Sequence, residues 1–102
     1  MSTKITIVYD NPESAEAFEA GYPEQVTLAR RLPGVERIES ARVWPKEDGS
    51  PTPAYRLVDI YFADYDTASK AVATAEAAEL VAHIKKLATG GVRIVFAEIE
   101  KS

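Results

Sequence analysis

The order in which strand-like and helix-like segments follow one another constrains the fold of this chain more than any other feature. Four short segments are rich in β-branched and aromatic residues and are bounded by Pro, Gly, Asp or Asn, as β-strands usually are. These segments are 4–9, 35–44, 55–63 and 92–99. Two longer segments, 12–32 and 67–87, repeat apolar residues at intervals of three and four, which is typical of helices. The order predicts an α+β fold of the ferredoxin-like βαββαβ type, a four-stranded antiparallel sheet with the helices on one face.

Each helical segment carries a feature that affects its continuity or its start. Pro23 lies inside the first segment, where proline removes a backbone hydrogen bond, so a kink or break is expected near Tyr22. The second segment, 67–87, is expected to form one continuous helix with Asp64 or Asp66 as its N-cap.

The composition limits the classes of protein to which the chain can belong. Its 102 residues fit one domain, 1–102, and its 46% apolar and 27% charged residues are typical of a globular protein. No apolar run approaches the roughly 20 residues that a membrane span needs. The start of the chain lacks the pattern of a signal peptide. We therefore expect a cytoplasmic protein with no membrane partner.

The net charge, the absence of cysteine and the single histidine argue against further classes of protein. The net charge of −4 argues against a nucleic-acid partner, which usually requires a basic surface. Without cysteine, disulfides, thiolate catalysis and thiolate ligation are excluded. One histidine and scattered carboxylates form no ligand set, so we expect no metal and no other cofactor. That histidine, His83, stands near a helix C-terminus, where the helix dipole favours it, so a structural role is preferred to a catalytic one.

The strands carry more apolar side chains than two helices can cover. Apolar residues alternate on both faces of the first and third strand segments: Ile5, Ile7 and Tyr9 against Val8, and Leu57 and Tyr61 against Val58, Ile60 and Phe62. The face without helices would expose an apolar patch of several hundred Å², which monomers rarely tolerate. A second copy of the chain, packed sheet to sheet, is the simplest cover, so we expect a homodimer.

A series of short motifs resembles a known family over nearly the whole chain. The motifs are Val8-Tyr9-Asp10-Asn11-Pro12 leading to Phe18 and Tyr22, Leu28-Ala29-Arg30-Arg31-Leu32-Pro33-Gly34, Asp48-Gly49-Ser50-Pro51, Tyr55-Arg56, Asp59-Ile60-Tyr61-Phe62 and Ala88-Thr89-Gly90-Gly91-Val92. Their order and spacing resemble the EthD family, named for ethyl tert-butyl ether degradation, within the dimeric α/β-barrel superfamily. The resemblance implies two ferredoxin-like monomers that pair their sheets into a barrel. It also implies a pocket between the first helix and the sheet for small, mostly hydrophobic or aromatic molecules.

One departure from the family pattern bears on the chemistry. The first helix of the family typically carries two histidines that point toward the pocket. Here Gly21 stands at the first histidine position, and Gln25 or Val26 at the second. Proton transfer or haem ligation by those histidines in relatives could not use the same residues in this chain. We assign no catalytic residue, and whether the chain is an enzyme stays open.

Five residues are candidates for binding a small molecule: Tyr9, Tyr22, Gln25, Trp44 and Tyr61. Tyr22 could form a hydrogen bond with a ligand or serve as a core aromatic residue. Gln25 could supply a polar contact, but an amide has no useful pKa for proton transfer. The other three could line a pocket for a flat ligand, although aromatic residues on strands usually belong to the core.

Charged residues on the strands suggest an ion pair. Arg42 and Asp59 fall on neighbouring strands that each have a buried face, and a buried charge usually has a partner. We expect the two residues to pair at the dimer interface, in a structural rather than a catalytic role.

Three functions follow from these observations. The preferred one is an EthD-like protein that binds a small hydrophobic or aromatic molecule between the first helix and the sheet. The alternative is a cofactor-free monooxygenase, isomerase or cyclase acting on a small aromatic or lactone substrate, in which the protein mainly orients and desolvates it. The third is an interaction domain without a ligand, which a filled space between the first helix and the sheet would favour.

Overall fold

The computed structural model describes residues 2–100, so that Met1, Lys101 and Ser102 of the predicted domain lie outside it. Within the described residues the elements are β1 (Thr3–Tyr9), α1 (Ala15–Arg30), β2 (Arg37–Arg42), β3 (Arg56–Phe62), α2 (Tyr65–Ala71), α3 (Ala75–Leu87) and β4 (Val92–Glu98). The four strands form one antiparallel sheet in the order β2-β3-β1-β4. This confirms the prediction of an α+β ferredoxin-like fold.

The register of the strands assigns each side chain to one face of the sheet. Ile5 of β1 lies opposite Ile60 of β3, and both are almost fully buried beneath the helices. The next pair, Thr6 and Asp59, projects from the other face, because successive side chains of a strand alternate. We refer to this second face as the open face of the sheet.

The first helix is not broken at its proline, contrary to the expectation from the sequence. The helix α1 runs without interruption from Ala15 to Arg30 with Pro23 inside it. Buried residues on both sides of the proline, among them Phe18 and Leu28, anchor the helix to the core. Tertiary packing therefore outweighs the local cost of the proline.

The predicted second helix is wrong in its continuity, because the segment divides into α2 and α3. Thr74 makes the division: its Oγ1 donates to the Ala71 carbonyl over 2.6 Å and accepts from the Ala77 N–H over 3.2 Å. Thr74 is thus the N-cap of α3, a role that threonine hydroxyls commonly fill. Of the two predicted caps for the start of the segment, Asp64 is the one that accepts from a backbone N–H, at Thr67.

The expected ion pair between Arg42 and Asp59 does not form, because the two residues lie on opposite faces. In the register of β2 with β3, Arg42 lies opposite Arg56 on the face beneath the helices. Asp59 lies on the open face, where it accepts from the Thr6 hydroxyl over 2.5 Å and pairs with Lys4 over 3.5 Å. No helix among residues 2–100 is long and apolar enough to cross a membrane.

Candidate functional site

A buried polar residue of α1 faces the centre of the sheet. Gln25 is 0% exposed, and its Oε1 accepts a hydrogen bond from the Tyr9 hydroxyl of β1 over 3.2 Å. Burial, with a smaller contribution from the neighbouring Tyr22, raises the pKa of Tyr9 well above its ordinary value. Tyr9 therefore stays neutral and acts here as a hydrogen-bond donor.

An ion pair between Glu19 and Arg56 joins α1 to β3. The Nη2 atom of Arg56 donates to both carboxylate oxygens of Glu19, over 2.8 and 2.9 Å, and the Tyr55 hydroxyl donates to one of them over 2.6 Å. Burial would raise the pKa of Glu19. The hydrogen bonds from Tyr55 and Arg56, with the charges of Arg56 and Arg42, outweigh burial and hold the pKa below its ordinary value. Glu19 is thus a carboxylate at neutral pH.

Aromatic rings enclose these polar groups. The ring of Phe18 meets the ring of Tyr9 edge to face at 4.9 Å and stacks on the ring of Tyr22 at 5.8 Å. The guanidinium carbon of Arg56 lies 4.0 Å from the centre of the Tyr22 ring, which is a cation–π contact. The Tyr22 hydroxyl is hydrogen-bonded to the Ser40 hydroxyl of β2. We call Tyr9, Phe18, Tyr22, Gln25 and Arg56 the α1 cluster.

Two donors of the α1 cluster have no hydrogen-bond acceptor among residues 2–100. They are Nε2 of Gln25 and Nε of Arg56, and both atoms are buried. Almost all buried polar groups in folded proteins are paired, so two unpaired donors in one cluster are unusual. Each unpaired donor costs about 1–3 kcal/mol of stability.

The space between α1 and the sheet is filled by the side chains of the cluster, the observation that favours the third function, an interaction domain without a ligand. Tyr9 and Gln25 are 0% exposed and Phe18 is 2% exposed. A surface hollow of about 260 Å³ lies beside the cluster, between the start of α1 and the end of α3. Phe18 belongs both to the lining of this hollow and to the α1 cluster, and Leu87 and Thr89 line the hollow from the other side. Phe18 is therefore the residue of the cluster that adjoins the hollow.

The structure brings together three of the five residues that the sequence singled out for binding. Tyr9, Tyr22 and Gln25 belong to the α1 cluster. Trp44 is 87% exposed in the segment after β2, and its side chain does not join the cluster. Tyr61 lies on the open face, opposite Lys4, and its hydroxyl donates to Glu39.

Sequence reasoning missed the pair formed by Glu19 and Arg56. An arginine within the apolar third strand is a visible anomaly, but its partner lies 37 positions away on α1. No spacing rule connects the two residues, because only the packing of α1 across β3 brings them together.

His83 lies outside the α1 cluster. Its Nε2 atom lies 3.0 Å from the carbonyl oxygen of Gly21, and its Nδ1 atom lies 3.7 Å from the carboxylate of Glu24. The residue thus links α3 to α1. Within residues 2–100, no three His, Asp or Glu side chains come together as metal ligands.

Comparison with known proteins gives one sequence relative and several structures of the same fold. No family model matches the chain. An 11.0 kDa protein of Rhodococcus erythropolis, described as uncharacterized and as lying in the thcB–thcC intergenic region, is 33% identical over 98 residues. The alignment covers 95% of this chain and 94% of the relative.

Three crystal structures illustrate the shared fold. An EthD family protein of Bacillus halodurans has a TM-score of 0.89 and 23% identity, covering 98% of this chain and 100% of its own. SnoaB, a cofactor-independent oxygenase of Streptomyces nogalater, has a TM-score of 0.70 and 14% identity, covering 99% and 94%. A dimeric ferredoxin-like protein of Jannaschia sp. has a TM-score of 0.69 and 13% identity, covering 97% and 100%. The resemblance to the EthD family is thereby confirmed at the level of the fold.

Proposed function

The chain belongs to the family of the Rhodococcus erythropolis thcB–thcC protein, and from that premise we propose that it binds a small aromatic or hydrophobic molecule between α1 and the sheet. The observation that carries the proposal is the α1 cluster. Small-molecule sites are mostly apolar and aromatic, with a few polar groups that orient the ligand. The rings of Tyr9 and Tyr22, which both contact Phe18, supply the apolar part, and Gln25 and Arg56 supply the polar part.

A rotation of Phe18 is the route by which we propose the ligand enters. Phe18 lines the adjoining hollow of about 260 Å³, and the proposed rotation turns its ring into that space. Turning it vacates a space the size of one aromatic ring between Tyr9 and Tyr22. The ligand ring then takes the place of the Phe18 ring and keeps its aromatic contacts.

Binding is better supported than acid–base catalysis. Arg56 and Tyr55 stabilise the carboxylate of Glu19, burial keeps Tyr9 protonated, and Gln25 carries no titratable proton. None of the three is suited to exchange a proton near neutral pH. The alternative, a cofactor-free monooxygenase, isomerase or cyclase, needs only orientation and desolvation from the protein, and it is favoured by the fold shared with SnoaB.

A thermal-shift screen of small aromatic compounds tests the proposal. A ligand present at 100 times its dissociation constant adds about 2.7 kcal/mol to the stability of the folded protein. Gln25→Ala is expected to weaken every compound that binds, whereas Thr27→Ala, an exposed position on the same helix, leaves affinity unchanged. Equal affinities for wild type and Gln25→Ala exclude the α1 cluster as the site.

A second pair of variants separates a binding site from a filled structural core. Phe18→Ala removes the ring that adjoins the hollow, so this variant should bind small aromatic compounds more tightly than wild type. Phe62→Ala removes an equally buried phenylalanine outside the cluster and should show no such gain. If neither wild type nor Phe18→Ala binds any of the compounds, the proposed site is wrong and an interaction domain without a ligand is favoured.

We also propose that the chain forms a homodimer through the open face of its sheet. Val8 lies opposite Leu57 on this face, and Val95, which is 50% exposed, lies opposite Thr6. The Asp59 carboxylate is hydrogen-bonded within the same face, so its burial would cost less than that of an unpaired charge. The dimeric protein of Jannaschia sp. has the same fold.

Light scattering tests the dimer. The wild type should have about twice the 11.2 kDa mass of one chain. Val95→Glu places a charge on the open face and should give a monomer, whereas Val81→Glu, on α3, should remain a dimer. A monomeric wild type contradicts the proposal.

A further inference from the structure

The unpaired donors of the α1 cluster indicate which kind of chemical group the ligand presents to them. Nε2 of Gln25 and Nε of Arg56 are buried without an acceptor among residues 2–100. Another polar atom of each side chain has a partner: Oε1 of Gln25 accepts from the Tyr9 hydroxyl, and Nη2 of Arg56 donates to Glu19. The orientation of the Gln25 amide gives the buried hydroxyl proton of Tyr9 its acceptor, which leaves the NH₂ group free. Both free groups can only donate, so the group that completes them must accept hydrogen bonds.

The charges around the cluster favour a negative acceptor. Arg56 is paired with Glu19, so these two charges balance each other. The guanidinium of Arg42 lies 4.9 Å from the centre of the Tyr55 ring and acts on the same carboxylate. Two arginines and one carboxylate leave one excess positive charge around Glu19, on the Arg56 side of the cluster, and donors bind charged oxygens more strongly than neutral ones.

We infer that the ligand is a small aromatic compound bearing an anionic oxygen, a carboxylate or a phenolate, which accepts from Gln25 Nε2 and Arg56 Nε. This inference rests on the proposed function, because it assumes that a ligand ring takes the place of Phe18. The ring of the ligand then contacts Tyr9 and Tyr22, and its oxygen completes the two donors.

Titration calorimetry of the full chain with three probes tests the inference. Benzoate has both the ring and the charge, benzamide has the ring without the charge, and acetate has the charge without a large apolar group. Benzoate should bind at least about tenfold more tightly than benzamide, because a charge-assisted hydrogen bond replaces a neutral one. It should also bind at least about tenfold more tightly than acetate, because acetate lacks the apolar ring that the site buries.

Matched variants assign the donors. Gln25→Met keeps a side chain of similar size without the NH₂ group, and Arg56→Lys keeps the charge without Nε. Each should weaken benzoate by about tenfold and change benzamide much less. Glu24→Gln, an exposed neighbour of Gln25 in the chain, should leave benzoate binding unchanged. Melting curves without ligand identify any variant that has lost its fold. If one of the two donor variants does not fold, the other still tests the inference.

The possible outcomes separate this inference from the proposed function. Equal affinity for benzoate and benzamide overturns the anionic oxygen but leaves the binding of aromatic molecules intact. Equal affinity for benzoate and acetate means that an anion alone is bound, which also overturns the inference. Unchanged benzoate affinity in both donor variants overturns the assignment of the donors. Failure of both ring compounds to bind, while another compound of the thermal-shift screen binds, overturns the inference alone. Failure of every compound to bind wild type and Phe18→Ala contradicts the proposed function itself.

Discussion

The Nη2 atom of Arg56 lies 2.8 and 2.9 Å from the two carboxylate oxygens of Glu19, so that a single nitrogen joins β3 to α1. The Arg56 side chain is only 9% exposed, whereas that of Glu19 is 39% exposed. The pair is therefore asymmetric: the cation is buried and depends on a carboxylate that reaches the surface. The stability of the region beneath α1 should follow the charge of that carboxylate.

Glu19→Gln is expected to lower the free energy of unfolding by about 1–3 kcal/mol, because it leaves the charge of buried Arg56 without its counter-charge. Urea denaturation measures the loss. Arg31→Gln is the control, since it breaks an exposed ion pair with Glu79 and should cost less than about 0.5 kcal/mol. If Glu19→Gln is as stable as wild type, the pair contributes nothing to the fold.

The pH dependence of stability should reveal the same pair. The pKa of Glu19 in the folded chain lies below its ordinary value of 4.5, so its contribution is fully present above pH 4.5 and is lost as the pH falls through the folded pKa. The difference in unfolding free energy between wild type and Glu19→Gln should therefore shrink in acid. Glu39, Asp48 and Asp64 also have lowered pKa values, but they are common to both proteins and cancel in the difference. A difference that stays constant in acid speaks against an ionised Glu19 in the folded state.

Pro23→Ala is expected to raise the free energy of unfolding by about 2 kcal/mol. Alanine restores the backbone N–H, and with it the hydrogen bond, that α1 lacks at this position, which stabilises the folded chain. The unfolded chain gains conformational entropy when proline is removed, but this lowers the stability by a smaller amount. Thermal and urea denaturation measure the change. Pro45→Ala, in the exposed segment after β2, should give no such gain. A loss of stability in Pro23→Ala would mean that the proline ring makes contacts worth more than the missing hydrogen bond.

Thr74→Ala is expected to lower the free energy of unfolding by about 1 kcal/mol, because α3 loses its N-cap. Thr74→Ser keeps the hydroxyl and should be close to wild type in chemical denaturation. An equal loss in both variants would assign the effect to the methyl group of the threonine rather than to the cap.

Much of the fold could be predicted from local patterns. The β-branched and aromatic residues of segment 4–9 predicted the first strand, and the structure places Ile5, Ile7 and Tyr9 on the buried face. The position of Thr74 as a cap was not predicted, because a threonine inside an alanine-rich helical segment gives no local sign of a new helix. The continuity of α1 at Pro23 was missed for the opposite reason, since the local penalty was visible and the compensating packing was not.

The sequence by itself determined the order of the strands and of the two helical segments between them, and the two-faced character of the sheet, because residues at intervals of two, three or four along the chain report local periodicity. Only the tertiary structure decided which residues share a site. Gln25 meets Tyr9, and Glu19 meets Arg56, because α1 packs across β1 and β3. The register between β1 and β3 likewise places Tyr61 away from Tyr9 and on the open face. Contacts between elements depend on packing and register, and these are properties of the whole folded chain.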